Sequence, residues 1–399
     1  MRRLLRAVEV LAWFAFFAFA ALVLALRYWV LPDIERYRPD IVAAISQAVG
    51  LRLEVGALEA GWDGLRPQLR LTDVRLYDAE GREALALPAL EHVVSWRSLL
   101  HLELRAHSLA IDGPRLTVRR NADGMLYVAG FALSPGAGDG GFGAWLLAQE
   151  DMVIRNAEIE WRDEMRGAPP LVLAELNLRL RAAGPRHLLG LSARPGSELG
   201  PRLELRAELA GHAPGDPAAW NGRVYAELGS TDLAAWRAWI DYPADIRRGQ
   251  GAVRLWLTLA GGRLTQASAD VALERVSAQL GPDLPALELA GVRGRLQGRM
   301  VPGGYELAAR SLALSTDAGP AMQPMDFQLR WTRPLTGGEQ VALGARLVEL
   351  EPLAHLAASL PFPEEWRARL AELAPQGRLA DARLEWRGPA GDPQQLSAR

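Results

Sequence analysis

Cysteine is absent from the 399 residues, and so is lysine: every one of the 45 basic residues is arginine. The first absence excludes structural disulfides, cysteine-ligated zinc, iron–sulfur clusters and thiol catalysis. The second removes a phosphate-loop lysine, Schiff-base chemistry and a lysine general base. An excess charge of either sign is also missing, since the formal net charge is −2. Nothing here builds a positive field for a polyanion, and nucleic acid is not an expected partner. Hydrophobic residues nevertheless make up 49% of the chain against 23% charged, which is enough apolar material for a sizeable core.

Sites for chemistry are equally scarce. The six histidines, His92, His101, His107, His187, His212 and His355, are scattered without metal-ligand spacing. Gly136, Gly138 and Gly141 satisfy a dinucleotide-type glycine spacing, but a flexible Ser134-Pro135 and Gly140 surround them where a βαβ unit would be needed. Carboxylate pairs such as Glu158 and Glu160 fall on wet strand positions. The 13 tryptophans include Trp96, Trp145, Trp236 and Trp239 in apolar patches, and these read as core anchors. No cofactor, metal or enzymatic activity is expected.

What the sequence does contain begins with a membrane segment. Arg2, Arg3 and Arg6 precede an uncharged run from Val10 to Leu26, extended through Tyr28, Trp29, Val30 and Leu31. That is about the 20 apolar residues needed to cross a hydrocarbon layer of roughly 30 Å, with aromatic residues at each end where interfacial belts form. Residues 1–31 are therefore expected to be a cytoplasmic tip and a transmembrane anchor in an inner membrane. Ala18 and Ala20 lie in the middle of the run, whereas a signal-peptidase site would follow it. Residues 32–50 read as an amphipathic helix, with Ile34, Tyr37, Ile41, Ile45 and Val49 at helical spacing before Gly50.

From Leu51 the period shifts from 3.6 to 2. Apolar residues alternate with Arg, Glu, Asp, Thr and Ser in runs such as Leu69, Leu71, Val74 and Leu76, or Val253, Leu255, Leu257 and Leu259. Turn signals, among them Asp112-Gly113-Pro114, Gly261-Gly262 and Gly303-Gly304, recur roughly every ten residues. Short strands joined by tight turns imply a mainly β, antiparallel architecture. Helices are expected only at 141–150, 232–240 and 351–373. A sheet with one apolar face has three ways to cover it: a second sheet, closure into a barrel, or an apolar ligand. The periodicity does not choose among them. Strand pattern resumes at 375–399, and an unclosed edge there suggests a portion of a longer, repetitive protein.

Particular residues carry a resemblance. Gly61-Trp62-Asp63-Gly64-Leu65-Arg66-Pro67, followed by Leu69, Leu71, Asp73, Val74 and Leu76, resembles the amino-terminal signature of the YhdP-like branch of the AsmA-like envelope proteins. Asn121-Ala122-Asp123-Gly124, Val128-Ala129-Gly130 and Leu373-Ala374-Pro375-Gln376-Gly377-Arg378-Leu379 extend the likeness towards the carboxyl end. The resemblance implies an elongated, curved sheet over residues 51–399, forming a repeating β-groove in the periplasm that carries phospholipid between the inner and outer membranes. Its groove-lining residues would include Leu176, Leu178 and Leu180; Leu203, Leu205 and Leu209; and Val253, Leu255, Leu257 and Leu259. Partners would then be phospholipid, the inner membrane and other envelope proteins. The alternative is a non-transporting scaffold or regulator of outer-membrane assembly.

Overall fold

The computed structural model describes residues 2–49, 52–77, 83–94, 106–129, 131–132, 150–211, 220–242, 244–317, 322–334, 338–362, 364–388 and 395–398. Two compact units are distinguished, one of Met1–Trp161 with Glu175–Gly184, the other of Arg162–Ala174 with Pro185–Arg399.

The first unit opens with α1 (Arg2–Ala25), prolonged by a wider π-type turn over Leu26–Val30. Glu9–Val30 is long and apolar enough to cross a membrane, and none of its most apolar stretch is buried by the protein. A 3-10 turn (Ile34–Tyr37) and α2 (Arg38–Val49) follow. Then come β1 (Arg52–Asp63), β2 (Arg66–Tyr77) and β3 (Glu83–Val94), an antiparallel meander. Its first strand would present a row of unpaired amides, a liability in any sheet. The helical segment covers them: Leu58 donates its N–H to Glu35 Oε2 at 3.1 Å, Leu53 donates to Ser46 Oγ at 3.3 Å, and Arg38 donates to the Gly56 carbonyl at 2.5 Å.

The meander continues into β4 (Ala106–Asp112), beyond which short hairpin strands β5 (Arg115–Arg120), β6 (Leu126–Val128) and β7 (Phe131–Ala132) intervene. Then β8 (Asp151–Asp163) returns to pair with β4 in parallel, Leu109 opposite Met152. The mainly β, antiparallel architecture expected from the sequence is found, with β4–β8 as a parallel exception, and the residues between these two strands supply the long connection that a parallel pair requires. The segment 141–149, expected to be helical, and the glycines at 136–141 lie outside the described residues, as do Trp96, Trp145, His101 and His212. Strand β9 (Leu171–Ala183) follows, its residues divided between the two units.

The second unit is an antiparallel run of β10 (Arg186–Pro195), β11 (Arg202–Ala210), β12 (Asn221–Asp232), β13 (Asp245–Ala260), β14 (Arg263–Gln279), β15 (Leu287–Val301), β16 (Gly304–Ser315), β17 (Met325–Thr332), β18 (Gln340–Glu349) and β19 (Arg378–Arg387). β20 (Gln395–Ala398) adds to β19. Among the described residues the helical interruptions are 3-10 turns at Ala235–Ala238 and Ala357–Ser359 and the pair α3 (Leu350–Leu356) and α4 (Glu364–Leu373). They fall where the sequence places them.

Bulges bend these strands. Ser230, Arg275, Ser311 and Asp381 hold positive φ between 48° and 52° in the second unit, and Asp73, Asn156 and Glu175 do the same in the first. At Ser230, Arg275 and Ser311 one extra residue stands against a neighbouring strand, and the inward-facing positions on either side of such a residue stand three apart instead of two. Leu71 and Val74, Ile154 and Ala157, Leu273 and Val276, and Ala309 and Leu312 are all buried, at 8% exposure or less. The amide freed by a bulge takes a side-chain acceptor: Ser311 donates to Asp326 Oδ1 at 2.7 Å and Asn156 to Asn177 Oδ1 at 3.2 Å.

A packed core spans the bulges and the strand ends beyond them in the second unit. Leu273, Val276, Ala278, Leu287 and Leu289 pack with Leu233, Met322 and Leu356 of α3. Trp236, buried at 5% exposure, anchors its own 3-10 turn, donating to Thr231 Oγ1 at 2.7 Å and to the Leu199 carbonyl at 3.0 Å.

Candidate functional site: an uncovered apolar face

On one side of the bulges the registers of ten strands align into two inward rows. One runs from Leu189 through Ala207, Val224, Leu257, Ala267, Gly298, Leu307, Leu329 and Leu343 to Leu384. Its neighbour runs from Leu191 through Leu205, Ala226, Leu255, Ala269, Leu296, Ala309, Phe327 and Ala345 to Ala382. No side chain in either row can form a hydrogen bond or carry charge. At ~4.8 Å between strands the nine steps give a path of about 43 Å, longer than the roughly 15 Å of one bilayer leaflet's hydrocarbon.

The described residues leave these rows partly open. Of the twenty positions only Ala309 is buried; Leu296 and Leu307 are 38% and 42% exposed, and the rest are partly exposed. The contrast with Leu289, at 5% exposure further along β15, separates a closed core from an open surface on the same strand. Side-chain size varies along the rows, with alanine or glycine beside leucine or phenylalanine, so the floor is uneven.

The outer face is a lattice of charge. Arg254 Nε lies 3.2 Å from Glu227, Arg295 donates to Asp270 at 2.7 Å, and Arg330 Nε donates to Glu306 at 2.6 Å. The Tyr225 hydroxyl and Arg254 hold the Glu227 carboxyl below its ordinary range; Arg295 does so for Asp270, and Arg299 with Arg330 for Glu306. Trp256 is 38% exposed on this side, with Tyr225 5.4 Å away and the Arg295 guanidinium 5.4 Å from its ring. Each exposed ion pair contributes little to stability; together they fix which face is wetted.

The residues predicted from the sequence divide among three environments. Leu205, Leu255 and Leu257 sit in the two open rows, with Leu203, Leu209 and Leu259 partly exposed on flanking inward positions. Val253 is 7% exposed and belongs to the closed core. In the first unit Leu176 and Leu180 are buried at 1% and 6%, and Leu178 is half-buried. Sequence reading did not single out Phe327, Leu329, Leu343 or the alanines of β14, whose small side chains blur the alternation. Among the described residues no group of three or more His, Asp or Glu could hold a metal ion.

The first unit has an inward row of its own, Ala60, Leu69, His92, Leu109 and Met152. His92 is half-buried, and desolvation pushes its pKa down to about 4, so it is a neutral member of an apolar face. Above pH ~6.5 neither folded nor unfolded chain binds this proton. As pH falls from 6.5 towards 4 the unfolded chain protonates first, so stability declines over that window and then levels. The loss is at most about 3 kcal/mol. Urea unfolding of the full chain in detergent should show this decline and His92→Gln should lack it; equal pH dependence of the two would contradict the assignment.

Comparison with known proteins fits this geometry. A family described as YhdP protein matches residues 1–399. The intermembrane phospholipid transporter YhdP of Escherichia coli (strain K12) is 24% identical over 258 residues, covering 62% of this chain and 19% of that protein. The match thus spans about a fifth of the relative's length. No solved structure matches.

Proposed function

This chain belongs to the YhdP family, and on that premise we propose that its two open apolar rows hold the acyl chains of phospholipid, which passes along them between the inner and outer membranes. The observation that carries this is the pair of ten-strand rows without a polar side chain and with a single buried position. Sequestering an acyl chain there spares about 0.8 kcal/mol per CH₂ from water, while the headgroup stays at the wet margin. Neighbouring sites on such a surface differ little in energy, so a lipid moves along it without a covalent step or an internal energy source. No catalytic residue is needed. The helix Glu9–Val30 holds the protein in the inner membrane, and the strands stand in the periplasm.

Native mass spectrometry of the detergent-extracted chain tests the reading. Phospholipid should remain bound after the detergent is stripped, at one or more molecules per chain. Protein that is folded and free of lipid under the same conditions would contradict it.

A further inference from the structure

The β1–β2 hairpin points to a second membrane contact. Its tip is Trp62-Asp63-Gly64-Leu65, with Gly64 at φ 60° closing the turn. The Arg27 guanidinium, at the end of the apolar helix, lies 5.8 Å from the centre of the Trp62 ring. Beside Arg27, Tyr28 and Trp29 are 66% and 78% exposed, and Leu65 on the hairpin is 67% exposed. The hairpin tip thus meets the helix end through Trp62, and the protein leaves Tyr28 and Trp29 on the helix and Leu65 on the hairpin largely uncovered.

We infer that the hairpin tip sits in the headgroup region of the bilayer that α1 crosses, with Leu65 reaching the upper acyl chains. The occupant is fixed by continuity: Arg27 and Trp62 tie the tip to the helix end, where aromatic residues mark the interface. Exposed leucine at a hairpin tip has no stabilising partner in water, and burying it in lipid removes its apolar surface from water. The inward face also leads there. Leu58, Ala60 and Trp62 pair with Leu71, Leu69 and Pro67, so apolar surface continues along the hairpin to its tip. On the reading proposed above, this tip is where a lipid leaves the bilayer for the sheet; its depth does not depend on that reading.

The absence of cysteine makes the test direct. Single variants Leu65→Cys, Asp63→Cys, Trp29→Cys and Asp123→Cys of the full chain, each carrying a nitroxide, are placed in phosphatidylethanolamine–phosphatidylglycerol vesicles. Asp123, exposed in the β5–β6 turn, reports water. Collision with a water-soluble nickel chelate should fall at least several-fold at 65 and 29 relative to 123, with 63 between them. Position 65 as accessible as 123 while 29 is protected would overturn the inference, and so would exposure of both. Native mass spectrometry of the same variants reports bound lipid separately, so a shallow tip on a lipid-loaded protein sinks this inference alone.

Discussion

Leu296→Glu and Leu307→Glu should each leave the chain folded and strip it of lipid. Both side chains are already 38–42% exposed, so the carboxylate finds water and the folding cost is on the order of 1 kcal/mol. A charge in the path is another matter, because an acyl chain lying over it blocks its solvation. Bound phospholipid, counted by native mass spectrometry, should fall at least tenfold. Leu289→Glu serves as the contrast: at 5% exposure in the closed core, it buries an unpaired charge and should prevent folding. If all three variants simply unfold, the rows are an ordinary core. Unchanged lipid in a folded Leu307→Glu protein would exclude the rows as the binding surface.

Gly251→Ala should cost more than 3 kcal/mol, although it adds one methyl group. The residue holds φ at +151°, and an added Cβ would stand 2.0 Å from the Ala272 carbonyl oxygen and 2.9 Å from the Leu273 Cα. Neither atom can move without breaking the β13–β14 ladder beside the Arg275 bulge, and strain of this kind is among the few causes of large single-site losses. Gly190→Ala is the control. No atom lies within 4 Å of its added methyl, and it should be neutral to within about 0.5 kcal/mol. Thermal unfolding of the two variants in detergent separates them; equal midpoints would show that the bulge line bears no strain.

The bulges also explain what could be read from the sequence and what could not. The alternation of Val253, Leu255, Leu257 and Leu259 with Arg254, Trp256 and Thr258 identifies β13 and its two faces from the residues alone. Leu71 and Val74 break that period by one residue, a visible mark of the Asp73 bulge, but a lone phase slip looks like an ordinary irregularity until seven recur. Periodicity reports which side chains share a face and is blind to whether anything covers them. Leu176 and Leu257 therefore look alike in sequence, although one is 1% exposed and the other lies in an open row. Strands rich in alanine and glycine, such as β14 near Ala267 and Ala269, give too weak an apolar signal to be chosen as lining. The parallel pairing of β4 with β8 was hidden for a different reason, since pairing across a long connection leaves no local trace.

Photo-crosslinking tests the central claim most directly. A benzophenone amino acid at position 307 or 329, in the open rows, is compared with one at Arg299 or Arg330 on the charged face, each in the membrane-embedded full chain. After irradiation, mass spectrometry should find phospholipid attached at 307 and 329 and little at 299 and 330. Equal labelling of both faces, or labelling of neither, would contradict a sheet that keeps one side for hydrocarbon.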